Sequence, residues 1–156
     1  MKVPKKLKLY LDTTIPSYVY ALDSPERMEV TRRFIRLGHQ NYEMIISDVV
    51  VREISRALEP KRSLLYEVVK DMPILSSSAQ SDALAEAYIK AGALPGGSIG
   101  DAMHVAIATL NQMDALVSWN FGHLVNIRRR QAIAAVNAEK GLHRIEILSP
   151  EEVMPS

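Results

Sequence analysis

The chain has 156 residues and a formal net charge of +1, which excludes a general attraction to nucleic acid or membranes and confines any polyanion site to a local patch. Apolar residues make up 47% and charged residues 24%, a balance that is typical of a globular domain and excludes a disordered or low-complexity chain. The absence of cysteine excludes disulfides, thiolate zinc sites and a cysteine nucleophile, and it is consistent with a reducing cytoplasm.

Five short apolar segments have the length and composition of β-strands. The first alternates apolar with polar residues, whereas most of the others are continuous apolar runs, as is typical of a sheet covered on both faces. The predicted strands are Leu7–Leu11, Met44–Ser47, Pro73–Leu75, Ala115–Trp119 and Ile145–Leu148.

Longer segments with helical periodicity separate these strands. Ser24 and Pro25 form a typical helix start, and Gly92 and Gly141 follow two of the helices as C-terminal signals. The predicted helices cover residues 25–40, 48–58, 61–70, 78–91, 98–112 and 127–140. Strands that alternate with helices predict an α/β fold with a mainly parallel sheet, formed by one domain over residues 1–156.

The sequence also predicts a cytoplasmic protein without a membrane span. No apolar run approaches the roughly 18 residues that a spanning helix needs. The stretch Leu9–Leu11 is ended by Asp12, so it is too short for the apolar region of a secretory signal peptide, which needs roughly 7–15 residues.

The loop before the 98–112 helix contains the pattern G-x-S-x-G, which occurs at the nucleophile of α/β-hydrolases. Here Ser98 follows a helix end and a Pro-Gly loop rather than a strand, so the favoured interpretation is a helix N-cap with Asp101 as the acid of a capping box. An esterase with Ser98 as nucleophile stays open as a minor alternative, which a fluorophosphonate probe would detect.

Four polar residues fall at corresponding places in the α/β pattern. Asp12 follows the first strand, Glu53 lies about one turn into the helix after the second, Asp101 lies in the first turn of its helix, and Asn120 follows the fourth strand. Ligands of open parallel sheets bind outside the carboxyl ends of the strands, so we expect these side chains to converge there.

Three carboxylates in one cleft repel one another unless a cation lies between them. Oxygen ligands without cysteine or a histidine pair favour Mg²⁺ or Mn²⁺. Such a metal site can activate water and stabilise the charge that develops at a phosphodiester during hydrolysis.

The chain resembles the PIN domain family along essentially its whole length. The acids and the amide are 41, 48 and 19 residues apart, and each lies in a segment similar to one family motif. The four segments are Leu9–Ser17, Ile46–Ile54, Gly100–Ala108 and Leu116–Leu124.

The resemblance implies an α/β/α sandwich and a metal-dependent endoribonuclease that leaves a 5′-phosphate and a 3′-hydroxyl. Many PIN domains are VapC-type toxins, which implies a homodimer, an RNA substrate and a small antitoxin partner. By this resemblance Asp12, Glu53 and Asp101 hold Mg²⁺ or Mn²⁺, while Thr13 and Ser118 orient ligands or water.

The fourth motif position departs from the family pattern, because it is often Asp and is Asn120 here. The amide carries one negative charge fewer than an aspartate. Whether a second metal ion binds, and whether the protein is fully active, therefore stays open. The alternative function is therefore a non-catalytic PIN-like module that binds RNA or a protein.

Three further features have two interpretations each. His104 lies three residues after Asp101 and could reach the site, but a packed histidine is the favoured reading. Trp119 is more typical of a core residue than of a base-stacking platform. The run Arg128, Arg129 and Arg130 lies in a segment, residues 121–144, with five basic residues and one acid, which suits a phosphate-binding surface for RNA as well as a solvated helix face.

Overall fold

The structure is a computed structural model that describes residues 5–154, and its strands lie close to the predicted ones. They are β1 (Leu7–Leu11), β2 (Tyr42–Ser47), β3 (Ile74–Leu75), β4 (Ala115–Val117) and β5 (Glu146–Leu148). Strand β4 ends two residues before the predicted Trp119, because the backbone N–H of Trp119 donates to the Thr14 hydroxyl at 2.9 Å instead of joining the sheet.

All five strands are parallel and have the order β3-β2-β1-β4-β5. Strand β1 is central, with Leu9 paired to Met44 of β2 and to Ala115 of β4. The chain builds outward from β1 first on one side and then on the other, so the strand order reverses between β1 and β4. A reversal of this kind opens a crevice at the carboxyl ends of the two strands.

Eight helices cover the sheet in the part of the chain that the structure describes, and six of them match predicted ones. Two short helices, α1 and α8, were not predicted, since five- and four-residue helices have too few residues to show a period. The helices are α1 (Thr14–Tyr18), α2 (Pro25–Asn41), α3 (Asp48–Ser55), α4 (Lys61–Val69), α5 (Ala79–Lys90), α6 (Ile99–Leu110), α7 (Ile127–Glu139) and α8 (Pro150–Val153).

The prediction that α3 extends to Leu58 is wrong. Leu58 continues the spacing of four set by Val50 and Ile54, but it is 85% exposed and lies beyond the helix end.

The predicted C-terminal signals of two helices are confirmed. Gly92 and Gly141 have φ of +76° and +67°, a conformation that favours glycine.

The core lies on both faces of the sheet. Tyr10, Leu11, Ile46 and Leu116 of the three central strands are fully buried. Helix α6 is buried along residues 104–109 because it packs against α5 as well as against the sheet. This arrangement confirms the predicted three-layer α/β/α sandwich.

Across residues 5–154, no helix combines the length and apolar character required to cross a membrane.

Candidate active site

The four predicted site residues lie at one edge of the sheet, where β1 and β4 end side by side. The backbone N–H of Asp12 donates to the carbonyl of Val117 at 3.3 Å, which extends the β1–β4 pairing to the site. Asn120 follows β4, and its amide Nδ2 donates to Asp101 Oδ2 at 3.2 Å. Glu53 reaches the same edge from α3, which starts directly after β2.

Asp12 is the most deeply buried of the acids, with 2% of its surface exposed. Its Oδ1 accepts hydrogen bonds from the backbone N–H and the hydroxyl of Thr14, and its Oδ2 accepts one from the Ser118 hydroxyl. Burial raises the pKa of Asp12, and the negative charge of Asp101 adds to this, while His104 and the two hydroxyl hydrogen bonds oppose it. Asp12 is therefore an acid that is fixed in place and energetically costly to ionise.

The predicted supporting residue Ser118 thus contacts Asp12 directly. Thr14 was missed as a contributor, although a hydroxyl residue two positions after an aspartate is the usual pattern of a local side-chain turn. The other predicted supporting residue, Thr13, donates from its hydroxyl to Glu53 Oε1 at 3.0 Å.

Glu53 is half-buried and shares a short contact with a histidine. Its Oε1 lies 2.6 Å from His104 Nε2 and also accepts the Thr13 hydroxyl. Burial opposes ionisation of Glu53. The hydrogen bond and the charge of His104, together with the hydrogen bond from the Thr13 hydroxyl, outweigh burial and lower the pKa of this carboxyl. Glu53 is thus held as an anion at neutral pH.

His104 is a packed histidine, as favoured from the sequence, and it also reaches the site. Its Nδ1 lies 2.6 Å from the hydroxyl of Tyr10, which lies 2.7 Å from the hydroxyl of Ser47, and the latter accepts the N–H of Val49. Burial opposes protonation of His104, but the Glu53 hydrogen bond and the charges of Asp12, Glu53 and Asp101 raise its pKa. Tyr10 and Ser47 were missed, because core positions in strands give no sequence signal for a polar network.

Asp101 belongs to a second polar group at the same edge. Its Oδ2 lies 3.0 Å from His123 Nδ1, and the Asn120 Oδ1 atom accepts the backbone N–H of His123 at 2.9 Å. The predicted capping box of Ser98 and Asp101 is wrong, because the Ser98 hydroxyl contacts His123 Nδ1 at 3.1 Å and no side chain caps the start of α6. Serine and aspartate share one ring nitrogen here, so these three residues do not have the arrangement of a hydrolase triad, in which they use opposite nitrogens.

The donor set fits a hard divalent cation. In residues 5–154 no three His, Cys, Asp or Glu residues are grouped closely enough to form a ready-made metal cage. Over the same residues, however, Glu53 Oε2 and Asp101 Oδ1 accept no hydrogen bond, and Asp12 Oδ2 accepts one although a carboxylate oxygen has room for two. Each acid therefore keeps an oxygen that can bind Mg²⁺ or Mn²⁺.

The basic triplet lies at the start of α7, which follows the loop after β4. Arg128 is exposed, whereas Arg129 donates to the carbonyl of Ala93 at 3.0 Å and Arg130 pairs with Glu152 at 2.8 Å. Two of the three arginines thus have partners within the fold, and Arg128 offers its charge to solvent.

The sequence model of the PIN domain family matches residues 9–122, a segment that contains all four predicted acid and amide positions. The chain therefore belongs to the PIN domain family. Among curated proteins, none matches the sequence significantly.

Two solved structures contain chains with a similar fold. One is VapBC2 from Rickettsia felis bound to a DNA fragment from their promoter, with 16% identity, a TM-score of 0.61 and coverage of 92% of this chain and 98% of that one. The other is VapBC-1 from nontypeable Haemophilus influenzae, with 15% identity, a TM-score of 0.58 and coverage of 93% and 99%.

Proposed function

We propose that this PIN domain is a metal-dependent endoribonuclease and the toxin of a type II toxin–antitoxin pair, of the VapC type. The observation that supports this most is the convergence of Asp12, Glu53, Asp101 and Asn120 at the carboxyl edge of β1 and β4. Three acids that each keep an available oxygen have the ligand chemistry that a hard divalent cation prefers.

Asp12, Glu53 and Asp101 would hold the ion, and Mg²⁺ or Mn²⁺ would there lower the pKa of a bound water and neutralise charge on the phosphodiester. The protein's own contribution is orientation and charge. Thr14 and Ser118 fix the carboxylate of Asp12, and His104 and Thr13 keep Glu53 ionised. The Asn120 amide and His123 fix one oxygen of Asp101, and its other oxygen accepts no hydrogen bond from residues 5–154.

The proposed partner is a small antitoxin, because both structural neighbours come from complexes named VapBC. We further propose a cytoplasmic homodimer, as the family resemblance implies. A small reading frame with a DNA-binding pattern beside this gene, and co-purification of its product with the chain, would test the pairing. Size-exclusion chromatography with light scattering would test the dimer.

The nuclease proposal is tested with mixed cellular RNA in Mg²⁺ or Mn²⁺, with product ends mapped for a 5′-phosphate and a 3′-hydroxyl. Asp12→Asn and Asp101→Asn should each reduce cleavage more than about 100-fold, because each weakens the proposed metal site, and the metal's stabilisation of transition-state charge is worth several kcal/mol. Both variants should keep the wild-type circular dichroism spectrum. Wild-type activity in either variant would contradict the carboxylate–metal mechanism.

The same assay decides the alternative of a non-catalytic binding module. That alternative is favoured by Asn120, which supplies an amide where the family often has a fourth acid. RNA binding without metal-dependent cleavage by the wild type would support it. If Asn120→Asp instead increases cleavage in Mn²⁺, the natural amide moderates an active enzyme.

A further inference from the structure

An aromatic cluster lies beside the candidate active site and has no part in the mechanism above. Its base is Trp119, which is 3% exposed and whose indole N–H donates to the Thr31 hydroxyl at 2.8 Å. The ring centroids of Tyr18 and Phe121 lie 5.7 and 6.1 Å from that of Trp119. Trp119 is therefore a core residue, and Phe121, which is 40% exposed, presents the cluster to solvent.

Arg27 of α2 adds a cation to this cluster. Its guanidinium carbon lies 5.0 Å from the centroid of Phe121, 5.3 Å from that of Trp119 and 5.9 Å from that of Tyr18. No carboxylate of residues 5–154 lies within ion-pair distance of Arg27. Arg27 Nη1 donates to the Tyr18 hydroxyl at 3.4 Å, so its guanidinium contacts only the aromatic cluster among the described residues. Together with residues 24–26 it lines an open surface cleft of about 310 Å³.

The cluster is fixed to the acids through the backbone. The N–H of Trp119 donates to the hydroxyl of Thr14, and that hydroxyl donates to Asp12. Phe121 directly follows Asn120, whose amide contacts Asp101. The segment that carries Trp119 and Phe121 is therefore tied to two of the proposed site acids, Asp12 and Asp101.

We propose that Phe121 and Arg27 form a stacking site for one unpaired nucleobase of the RNA, next to the phosphodiester that is cleaved. The assignment rests on the proposed nuclease function. Exposed aromatic rings and guanidinium planes are the groups on which proteins stack splayed bases, and bases in a duplex are not free to do so. Because no carboxylate of residues 5–154 pairs with Arg27, its charge favours an anionic polymer over an apolar peptide.

The test measures binding separately from cleavage. Short single-stranded RNAs with 2-aminopurine at successive positions are titrated with the protein in EDTA, so that no hydrolysis takes place. Quenching at one position is expected with the wild type. Phe121→Leu keeps apolar volume but removes the ring, so the quenching should vanish and the affinity fall about 5- to 150-fold. Phe121→Tyr keeps the ring and should bind within about twofold of the wild type.

Arg27→Gln should also weaken binding and reduce the quenching. Its matched control is Arg33→Gln, which removes the same charge from an exposed position of the same helix and should have a smaller effect, without change in quenching. Melting temperatures of all variants show whether each remains folded at the assay temperature.

Equal affinity and equal quenching for wild type and Phe121→Leu, or no quenching with the wild type, would overturn the stacking site. So would a loss of affinity for a protein partner with unchanged RNA binding, which would assign the cluster to protein docking. RNA that stacks on Phe121 but is never cleaved in Mn²⁺ would reject the nuclease and keep the stacking site. If the wild type cleaves RNA and the Phe121→Leu variant binds RNA as tightly as the wild type, the stacking site is rejected and the nuclease proposal is kept.

Discussion

At the scale of single residues, Glu53 shows how the fold fixes and charges an acid to which the proposed function assigns a metal ion. The hydroxyls of Ser47 and Tyr10 and the ring of His104 form a chain of hydrogen bonds that ends at Glu53 Oε1. Every link except Glu53 is buried, so the histidine has no alternative partner in water. His104 is accordingly a positioning residue that fixes both the orientation and the charge of the acid.

Replacement of His104 tests this positioning role. His104→Phe keeps the ring volume but leaves the buried Tyr10 hydroxyl with one partner fewer, so the free energy of unfolding should fall by about 1–3 kcal/mol. The pKa of Glu53 should rise, because the hydrogen bond and the charge of His104, two of the causes that lower it, are lost. Urea denaturation measures the stability, and carboxyl NMR shifts followed over pH measure the titration of Glu53.

The sign of the pH effect follows from the lowered pKa. A carboxyl whose pKa is lower in the folded state adds stability above its unfolded pKa and loses it as the pH falls through the folded value. The wild type should thus lose this increment in acid, and His104→Phe should have less to lose. An equal loss of unfolding free energy in both proteins as the pH falls, together with an unchanged titration of Glu53, would contradict the positioning role of His104.

At the scale of secondary-structure elements, α7 carries basic residues at both of its ends but with different surroundings. Its first turn, with Arg128, lies at the carboxyl edge of the sheet, where α7 follows the site loop. Lys140 caps the opposite end of the helix and is also exposed. The two positions therefore separate a contact with RNA near the site from a general effect of charge.

Arg128→Ala should lower the affinity for single-stranded RNA and reduce the log–log salt slope by about 0.7, the value for one lost phosphate contact. Lys140→Ala removes an equal charge far from the edge and should leave the slope unchanged. Fluorescence anisotropy at several salt concentrations measures both. Equal slopes for Arg128→Ala and the wild type would place Arg128 away from the RNA.

Arg129 and Arg130 are less suitable for this measurement, because each also joins α7 to a neighbouring segment. Arg129 donates to the carbonyl of Ala93, and Arg130 pairs with Glu152 of α8. An alanine at either position would mix loss of RNA contact with loss of stability, so the triplet variant needs its melting temperature alongside its affinity.

At the scale of the whole molecule, three acids from three separate elements share one edge and influence one another. The charge of Asp101 helps to raise the pKa of Asp12, although burial is the larger cause. A cation at this edge would favour the ionised form of Asp12 and so act against both causes of its raised pKa. The folded state should therefore bind divalent ions that the unfolded chain does not bind, and metal should stabilise the fold.

Thermal unfolding in EDTA and in millimolar MnCl₂ measures this coupling. At about 100 times its dissociation constant, Mn²⁺ should stabilise the wild type by about 2.7 kcal/mol. Asp101→Asn should be at least as stable as the wild type in EDTA, because repulsion is relieved, but its Mn²⁺ increment should shrink. A full increment in Asp101→Asn would mean that Mn²⁺ binds elsewhere.

The local pattern of the sequence determined the elements and their approximate limits. Continuous apolar runs such as Ala115–Val117 follow from burial of the strand on both faces. Gly92 and Gly141 follow from a backbone conformation that other residues adopt only at a cost in free energy. The polar residues that follow strand ends, Asp12 and Asn120, could be singled out as well, because strand direction alone places them at one edge.

The tertiary structure decided which side chains meet. The contact of Ser98 with His123 instead of Asp101, and the network from Ser47 to Glu53, join residues 25 to 94 positions apart. Their partners depend on the order of the strands and the packing of α3 against α6, which no local pattern encodes. The same holds for Arg27, which lies far from Phe121 in sequence and is brought over its ring by the packing of α2 against β2 and α1.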